Sequence, residues 1–438
     1  MSETEIRKIW GADSETKFNI MRVYIPTGST TNPESSWSQA LTTVKLAKSM
    51  GLIVLASPWS MPAAWKTNNS TNGISNGTVG YLKEANYGDY AAYLNRFVTL
   101  MRDNGAELDA ISIQNESDFD ATYAGCHWTP AQITNFLKGY RSAIDCKVIA
   151  PETMNIGSST YVNAMAANDV IDQYDIYAGH QYGWNGSPTS LTPLSGQGKE
   201  IWMTEYLLNW APDGTALANV ANFNWAVQGF DFAKAVNTGL LANESAWIHY
   251  AAKRYYGLIG DGYGGTVTGA ITKRGYILAQ YAKYVTGATR IENTWNDAAL
   301  TGSAYLSATG DSVIVVVINS SNNAYSLTVD LPFYSTAGKS ITTTETTNMA
   351  EVDINIAEET NLPKADISAS SVTTLIFTKS NADGSSLLVK DTPAVLYEEY
   401  YTLLGQRAYP GKNNIKGIYI VKSFMSDGSV NSRKIYVK

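Results

Sequence analysis

Two short stretches, Ala110-Ile-Ser-Ile-Gln-Asn-Glu116 and Ile201-Trp-Met-Thr-Glu205, decide the fold of this chain. Each is an apolar run of the length of a buried β-strand, and each ends in a carboxylate. In a parallel α/β barrel the carboxyl ends of the strands open into one mouth, so both glutamates are predicted to face each other there. The alternative is that each glutamate only caps the helix that follows it.

Strands and helices alternate around these stretches over residues 1–290, which predicts a (β/α)8 TIM barrel. We predict seven strands, which begin at Asn19, Leu52, Ala110, Lys147, Tyr174, Glu200 and Ala246. A closed barrel needs eight strands. We expect the missing first strand either to precede Met1 in a longer protein or to be replaced by another segment, because an open slot leaves two strand edges unpaired.

The pattern of the chain changes after about Arg290. Short alternating β periods with Gly, Ser and Asn turns predict a small antiparallel β-sandwich side domain over 291–380. A polar linker is predicted over 380–386, and residues 387–438 predict a third, very small β module. The predicted domains are therefore 1–290, 291–380 and 387–438.

The composition is that of a globular protein with a large core, with 44% hydrophobic and 16% charged residues. The net charge of −7 argues against a nucleic-acid partner, which would require a basic face. No apolar run is long enough to cross a membrane. The first residues, Met1-Ser-Glu-Thr-Glu5, lack the apolar core of a signal peptide, so we expect none in this chain.

Cysteines and histidines give no sign of a metal site. Cys126 and Cys146 flank a predicted helix, which separates them by about 20 Å and predicts two free thiols. The three histidines show no metal-ligand spacing, so we expect no metal and no cofactor. They are His127, His180 and His249.

Six sequence blocks in a fixed order surround the two glutamates. They are Ile113-Gln-Asn-Glu-Ser-Asp-Phe, Gly125-Cys-His-Trp-Thr-Pro, Ile149-Ala-Pro-Glu, Gly179-His-Gln-Tyr-Gly, Ile201-Trp-Met-Thr-Glu and Thr272-Lys-Arg-Gly-Tyr. Together they resemble the bacterial xylanases of glycoside hydrolase family 30, from the first helix to about Thr378. The resemblance implies a (β/α)8 barrel with a β-sandwich side domain.

The resemblance also implies a retaining endo-β-1,4-xylanase, with Glu116 as acid/base, Glu205 as nucleophile, and xylan or glucuronoxylan as substrate. Physical reasoning supports these roles. Glu205 must be ionised to attack, and Arg22 at a neighbouring strand end could hold it so. Glu116 must start protonated, which the nearby charge of Glu205 favours. Two carboxyl groups about 5 Å apart are typical of retention.

Three further polar residues follow the strands that carry the two glutamates. Asn115 lies beside the pair, where its amide could bond the sugar 2-hydroxyl. The resemblance implies that Tyr182 hydrogen-bonds Glu205, and His180 is expected to support the site rather than to catalyse. For Asn115 and Tyr182 the alternative is a scaffold role at a strand end.

Three aromatic residues are candidates for stacking on a xylose ring. Trp59 and Tyr250 lie at predicted strand ends, and Trp128 begins a helix close to Glu116. Tyrosine and tryptophan offer flat apolar faces with a polar handle, which suits sugar rings. The alternative for each of them is packing in the core.

Specificity is where the chain departs from the family. Members that depend on glucuronic acid branches bind the acid with an Arg-x-Tyr element, which is present here as Arg254-Tyr-Tyr256. Those members also carry a Tyr and a Ser shortly after the nucleophile, where this chain has Leu207 and Trp210. A strict branch requirement is therefore open, and Arg254 could instead be a structural residue paired to a loop carboxylate.

The C-terminal residues have a resemblance of their own. Gly417-Ile-Tyr-Ile-Val-Lys and Lys434-Ile-Tyr-Val-Lys438 are similar to sorting domains of the type IX secretion system of Bacteroidetes; the alternative is a plain accessory β module. A polymeric substrate also favours a secreted or cell-surface protein, and we expect a monomer. Two other functions stay open, which are hydrolysis of another β-glycan and binding of carbohydrate without catalysis.

Overall fold

The computed structural model describes residues 1–208 and 223–380, and the strands at 395–402, 407–408, 417–425 and 430–437. Trp210 and most of the predicted linker lie outside the described residues. Contacts divide the chain into two compact units. The first comprises Met1–Thr328, Ala337–Asn355 and Lys364–Thr378, and the second comprises Val329–Thr336, Ile356–Pro363 and Lys379–Lys438. The three-part division drawn from the sequence stays a prediction.

A parallel sheet in strictly sequential strand order forms the centre of the first unit, as the alternating pattern predicts. Its strands and one small hairpin are β1 (Ile20–Ile25), β2 (Ile53–Pro58), β3 (Ile74–Ser75), β4 (Thr78–Val79), β5 (Ala110–Ser112), β6 (Lys147–Thr153), β7 (Ile176–His180), β8 (Glu200–Tyr206) and β9 (Ala246–His249). The order is β1-β2-β5-β6-β7-β8-β9, and β3 pairs with β4 alone. The sheet is a nearly closed barrel of the (β/α)8 type with seven strands in the described part of the chain.

The outer edges of β1 and β9 have no strand partner among the described residues. A cavity of about 870 Å³ lies between these two strands. The barrel is therefore open between β1 and β9 in the described part of the chain. Inside the barrel, a separate apolar cluster that includes Leu55, Ile149 and Trp202 fills the space below the strand ends.

Helices cover the outside of the barrel. They are α1 (Glu3–Ile9), α2 (Glu34–Trp37), α3 (Leu41–Ser49), α4 (Tyr87–Asp103), α5 (Pro130–Tyr140), α6 (Ser159–Met165), α7 (Phe230–Leu241) and α8 (Lys273–Ala282). The predicted N-cap Thr129 is confirmed, since its hydroxyl accepts a hydrogen bond from the Gln132 backbone N–H, and the Gln132 side-chain oxygen accepts one from the Thr129 backbone N–H. None of the described helices has the length and apolarity to cross a membrane.

Antiparallel strands follow the barrel, as predicted. They are β10 (Thr289–Ile291), β11 (Leu300–Leu306), β12 (Ser312–Asn319), β13 (Tyr325–Thr328), β14 (Ser335–Thr343), β15 (Ala350–Ile354), β16 (Lys364–Ile367) and β17 (Ser371–Lys379). Six of them form one sheet, and β13 pairs with β16. The sequence pattern did not predict β10, β15 and β16, because all three are short and β15 has no buried residue whose alternation would reveal it.

The C-terminal strands form a sheet of their own. They are β18 (Val395–Thr402), β19 (Arg407–Ala408), β20 (Gly417–Met425) and β21 (Val430–Val437), in the order β19-β18-β20-β21. The predicted β module at the end of the chain is thus an antiparallel four-stranded sheet.

Candidate active site

The two strand-end glutamates converge. Glu205 is the second-last residue of β8, and its pairing partner on β7 is His180. Glu116 is the fourth residue after the end of β5. Its φ is 49°, in the left-handed region that residues other than glycine rarely adopt. A carboxylate oxygen of Glu116 lies within 4.8 Å of one of Glu205. Both side chains are nearly buried, at the carboxyl ends of parallel strands.

Arg22 of β1 is the cation beneath this pair. Its Nη1 donates to Oε2 of Glu205 at 2.7 Å, and its Nη2 donates to Oδ1 of Asn115 at 2.5 Å. Its Nε donates to Oε1 of Glu152 at 3.2 Å. Burial lowers the pKa of Arg22, but the charges of Glu152 and Glu205 raise it above its ordinary value. The guanidinium is therefore a fixed charge that orients three side chains.

Glu152, at the end of β6, was not among the predicted site residues. It is fully buried, has a φ of 51°, and accepts a bond from the Ser57 hydroxyl at 3.0 Å in addition to that from Arg22. Burial raises its pKa, but the charge of Arg22 and the contact with His180 lower it to about 2. The signal was available, because the block Ile149-Ala-Pro-Glu152 is also an apolar run that ends in a carboxylate.

His180, at the end of β7, lies between two carboxylates. Its Nδ1 is 3.4 Å from Oε1 of Glu116, and its Nε2 is 3.9 Å from Oε1 of Glu152. Burial lowers its pKa, but the charge of Glu205 and the nearby carboxylates of Glu116 and Glu152 raise it to about 9. At neutral pH His180 thus carries protons on both nitrogens. Its position is that of a supporting residue.

Among the described residues, Glu116, His180 and Glu205 form a group with the spacing of metal ligands. The ligand-capable atoms of Glu116, His180 and Glu205 lie within 4.8 Å of one another. A metal would need a lone pair from the imidazole and would have to displace a proton of His180. Arg22 already donates to Oε2 of Glu205 at 2.7 Å, and its positive charge repels a cation at this position. The donor set therefore fits proton and charge chemistry better than metal binding.

Two tyrosine hydroxyls complete the hydrogen bonds of the glutamates. The predicted bond from Tyr182 to Oε1 of Glu205 is present at 3.2 Å. Tyr123 donates to Oε2 of Glu116, also at 3.2 Å. Burial, followed by the charges of the glutamates, raises the pKa of both phenols, so both stay donors. Tyr123 was missed because it lies on an irregular loop without a periodic pattern.

One wall of the cleft is aromatic. The Trp59 ring is half-buried and lies 5.4 Å from that of Tyr24 and 5.8 Å from that of Tyr123, between ring centroids. Tyr24 and Tyr123 are 45% and 46% exposed, which leaves ring surface open to a ligand. Tyr24 points away from the buried face of β1, and strand alternation in the sequence could have revealed this position.

Trp128 does not lie in this wall. Its side chain is fully buried, and its ring packs between Tyr87 of α4 and Phe136 of α5. The prediction that Trp128 stacks on a sugar ring is wrong, because no face of the ring is open to solvent. Closeness to Glu116 along the chain does not determine whether a side chain faces the cleft or packs between helices.

A second group of aromatic and charged residues follows β9. The rings of Tyr250 and Tyr256 stack at 6.5 Å, and the Arg254 guanidinium lies 5.8 Å from the Tyr256 ring. Arg254 Nε is also 3.8 Å from a carboxylate oxygen of Asp261, and the arginine side chain is 56% exposed. A loop carboxylate therefore does face Arg254, while most of its charge remains open to solvent. Leu207 offers no polar group here, and Trp210 lies outside the described residues.

The parallel barrel presents two carboxyl groups, a buried arginine and aromatic side chains at its strand ends. This arrangement is typical of a glycoside hydrolase. The model of the glycosyl hydrolase family 30 TIM-barrel domain matches residues 27–150. Glucuronoxylanase XynC of Bacillus subtilis is 30% identical over 83% of this chain and 81% of its own length. The chain therefore belongs to glycoside hydrolase family 30.

Two further relatives show the range of the similarity. The structure of the family 30 subfamily 8 xylanase Xyn30A from Clostridium acetobutylicum superimposes with a TM-score of 0.74 at 28% identity, over 86% of this chain and 93% of that chain. Endo-1,6-β-D-glucanase BGN16.3 of Trichoderma harzianum is 25% identical over 56% of this chain and 52% of its own length. Most of the chain thus resembles xylanases, and a smaller part resembles a glucanase.

Proposed function

We propose that this chain is a retaining endo-β-1,4-xylanase that acts on xylan or glucuronoxylan. The observation that carries the proposal is the separation of less than 4.8 Å between carboxylate oxygens of Glu116 and Glu205. Carboxyl groups about 5 Å apart are typical of retaining enzymes, since inverting ones need room for a water between them. The similarity to named xylanases supports the choice of substrate.

In the proposed reaction Glu205 attacks the anomeric carbon while Glu116 donates its proton to the departing glycosidic oxygen. A glycosyl ester on Glu205 results, and Glu116, now a carboxylate, takes a proton from the water that cleaves this ester. Arg22 and Tyr182 each donate one hydrogen bond to Glu205, one to each carboxylate oxygen, and so orient it for attack. The protonation of Glu116 alternates because the charge beside it disappears in the ester.

Substrate binding is assigned to the groups that remain open. Oδ1 of Asn115 accepts from Arg22, which leaves the amide nitrogen of Asn115 for the sugar 2-hydroxyl. The half-buried rings of Trp59 and Tyr250, which lie at or just after the ends of β2 and β9, are proposed to stack on sugar rings.

Digestion of glucuronoxylan and arabinoxylan side by side tests the proposal. We expect the wild type to release reducing sugar with retained configuration, as followed by NMR of the early product. Glu205→Gln should lower turnover on both polymers by about 10⁴-fold or more. The matched control is Glu200→Gln, at the other end of β8, which should keep wild-type activity. Wild-type-like activity of Glu205→Gln would remove this residue from its role.

A second candidate function is hydrolysis of a β-1,6-glucan by the same two glutamates. The similarity to endo-1,6-β-D-glucanase BGN16.3 favours it, together with the apolar Leu207 where a polar partner is expected. Product release from β-1,6-glucan but not from xylan would choose this function. Binding of xylan in affinity gels without release of reducing sugar would choose a non-catalytic protein.

We also infer that the protein acts outside the cell, with the C-terminal β module as its type IX sorting domain. The resemblance of the module's sequence and the size of the substrate support this. A fluorescent protein fused to residues 387–438 and expressed with a signal peptide in a Bacteroidetes host should reach the surface, and a type IX-deficient host should retain it in the periplasm. Equal distribution in both hosts contradicts the inference. The monomeric state stays a prediction, for which size-exclusion chromatography with light scattering is the measurement.

A further inference from the structure

Glu152 is a third carboxylate of the site that cannot touch a sugar. It is fully buried behind the pair formed by Glu116 and Glu205. Its oxygen Oε1 is 3.2 Å from Nε of Arg22, and 3.9 Å from Nε2 of His180. One atom of Glu152 thus faces both cations of the site. Its left-handed backbone conformation holds the side chain in this position against a local energetic preference.

The charges of the site balance only if Glu152 is ionised. Arg22 and a doubly protonated His180 supply two positive charges, and Glu152 and Glu205 supply two negative ones. Glu116 can then carry the proton that glycosidic cleavage requires. Removal of the charge of Glu152 leaves two cations against one carboxylate in a buried site, a state in which a proton will leave one of the groups.

Tyr182 lies near this network as a donor to Glu205, with its ring centroid 5.9 Å from that of His180. A further titratable group near it is Asp118, on the loop after Glu116. Its Oδ1 accepts the Met154 amide at 2.5 Å, and it interacts electrostatically with His180. Burial raises the pKa of Asp118, and its bonds to backbone amides lower it. It therefore contributes to the field at His180 without a direct hydrogen bond to Glu152.

We propose that Glu152 is a positioning residue that keeps His180 doubly protonated and thereby determines which oxygen of Glu116 carries the catalytic proton. The proposal rests on the acid/base role of Glu116 in the proposed function. The Nδ1–H of His180 donates to Oε1 of Glu116, so the proton of Glu116 is held on Oε2. Tyr123 donates to Oε2, but the bond from its neutral hydroxyl is weaker than a charge-assisted bond from the imidazolium, and Tyr123 itself is 46% exposed.

Without the charge of Glu152, His180 loses one proton at a lower pH. The neutral imidazole can then carry its remaining proton on Nε2, with a lone pair on Nδ1. This lone pair accepts from Glu116 and draws the carboxyl proton to Oε1, away from the cleft. Proton transfer to the substrate then fails as the pH rises, although Glu116 itself is intact.

The test compares Glu152→Gln with Glu244→Gln. Both substitutions replace a buried glutamate of the barrel by its isosteric amide, but Glu244 contacts neither Arg22 nor His180. In Glu152→Gln we expect the alkaline limb of the kcat/KM profile on xylan to move about one pH unit or more to lower pH. In Glu244→Gln the limb should stay at the wild-type pH. An unmoved limb in a folded Glu152→Gln overturns the proposal.

Titration of the histidines by NMR gives a readout that needs no turnover. The chain has three histidines, so the resonances are few. We expect the pKa of His180 to fall in Glu152→Gln, while that of buried His249 is unchanged. If the pKa of His180 falls but the alkaline limb of the kcat/KM profile does not move, the proposed link between His180 and the proton of Glu116 is contradicted. An inactive wild type with a normal His180 response contradicts the proposed function instead.

Glu152→Asp serves if Glu152→Gln does not fold. It keeps the charge but withdraws the carboxylate by one methylene from Arg22 and His180. We expect a smaller fall of the His180 pKa and a smaller shift of the limb in the same direction. A wild-type His180 titration in this variant overturns the proposal.

Discussion

Buried glutamate and histidine side chains have opposite pKa shifts in two regions of the molecule, the charged centre of the site and the neighbourhood of β9. Glu152 and Glu244 are both buried glutamates, yet the pKa of Glu152 is about 2 and that of Glu244 is about 8. His180 and His249 are both buried histidines, and their pKa values are about 9 and about 3. In the charged centre all these groups ionise, and around β9 they stay neutral.

The difference lies in the partners rather than in burial. Burial raises the pKa of Glu244, and its side-chain partner is the neutral amide of Gln181 at 3.4 Å, which lowers the pKa only in part. Burial lowers the pKa of His249, whose Nε2 is 2.9 Å from the carbonyl oxygen of Tyr256. In the charged centre full charges of opposite sign outweigh the same desolvation. Buried groups thus ionise where opposite charges cluster, and Glu244 and His249 near β9 stay neutral because their hydrogen-bond partners are neutral.

Arg22→Leu should have the largest effect on the difference between the two regions, because it removes the cation of the charged centre. It leaves Glu152 buried without its cation and removes the shortest bond to Glu205. We expect a loss of about 3–5 kcal/mol in the free energy of unfolding at pH 7, as for other broken buried ion pairs. Urea denaturation measures this loss. A change below about 1 kcal/mol would show that the charged centre is no more sensitive than the surface.

Glu244→Gln tests the neutral side in alkaline solution. The folded pKa of about 8 lies above the ordinary value of 4.5, so the stabilisation is complete below pH 4.5 and is lost as the pH rises through 8. The amide cannot ionise. We expect the variant to be more stable than the wild type by about 2–4 kcal/mol at pH 9, with the gain absent at pH 4.5. Thermal unfolding across this range measures it, and a pH-independent difference contradicts it.

His249→Gln tests the same side in acid. The folded pKa of about 3 lies below the ordinary 6.5, so the contribution to stability is present above pH 6.5 and is lost as the pH falls toward 3. Between pH 7 and pH 5 the wild type should lose about 2 kcal/mol through this residue. The variant should lose correspondingly less, as measured by urea unfolding at both pH values. An identical loss in both proteins would locate the acid sensitivity elsewhere.

Arg254→Ala should have the smallest effect on stability, because the Arg254 side chain is 56% exposed and its Nε is 3.8 Å from Asp261. We expect a change within about 1 kcal/mol. If Arg254 binds acidic branches, the preference for glucuronoxylan over arabinoxylan should fall about tenfold, since a charge-assisted bond contributes about 1.5–3 kcal/mol. Asp261→Asn, which frees the guanidinium, should raise this preference. An unchanged ratio in both variants makes Arg254 structural.

Local pattern was enough for the elements and for the two glutamates. The apolar runs that end at Glu116 and Glu205 are both at strand ends, and Thr129 caps its helix, because periodicity and capping depend on neighbours in the chain. The short exposed strand β15 escaped this reasoning, since its sequence carries no buried face.

The residues that the sequence misjudged depend on contacts across the fold. Trp128 has the same aromatic chemistry as Trp59, but one is enclosed by two helices and the other lines the cleft. Tyr123 reaches Glu116 from an irregular loop whose course no local pattern determines. Glu152 ends a strand as Glu116 and Glu205 do, yet it lies behind them.

By itself the sequence determined a parallel barrel and the two carboxylates at its mouth, because each strand records its burial in the order of its residues. Only the tertiary structure decided which buried groups are charged. That depends on Arg22, His180 and Glu152, from three different strands, meeting within about 4 Å. The electrostatic energy of such a meeting depends on distances through space, which no spacing along the chain encodes.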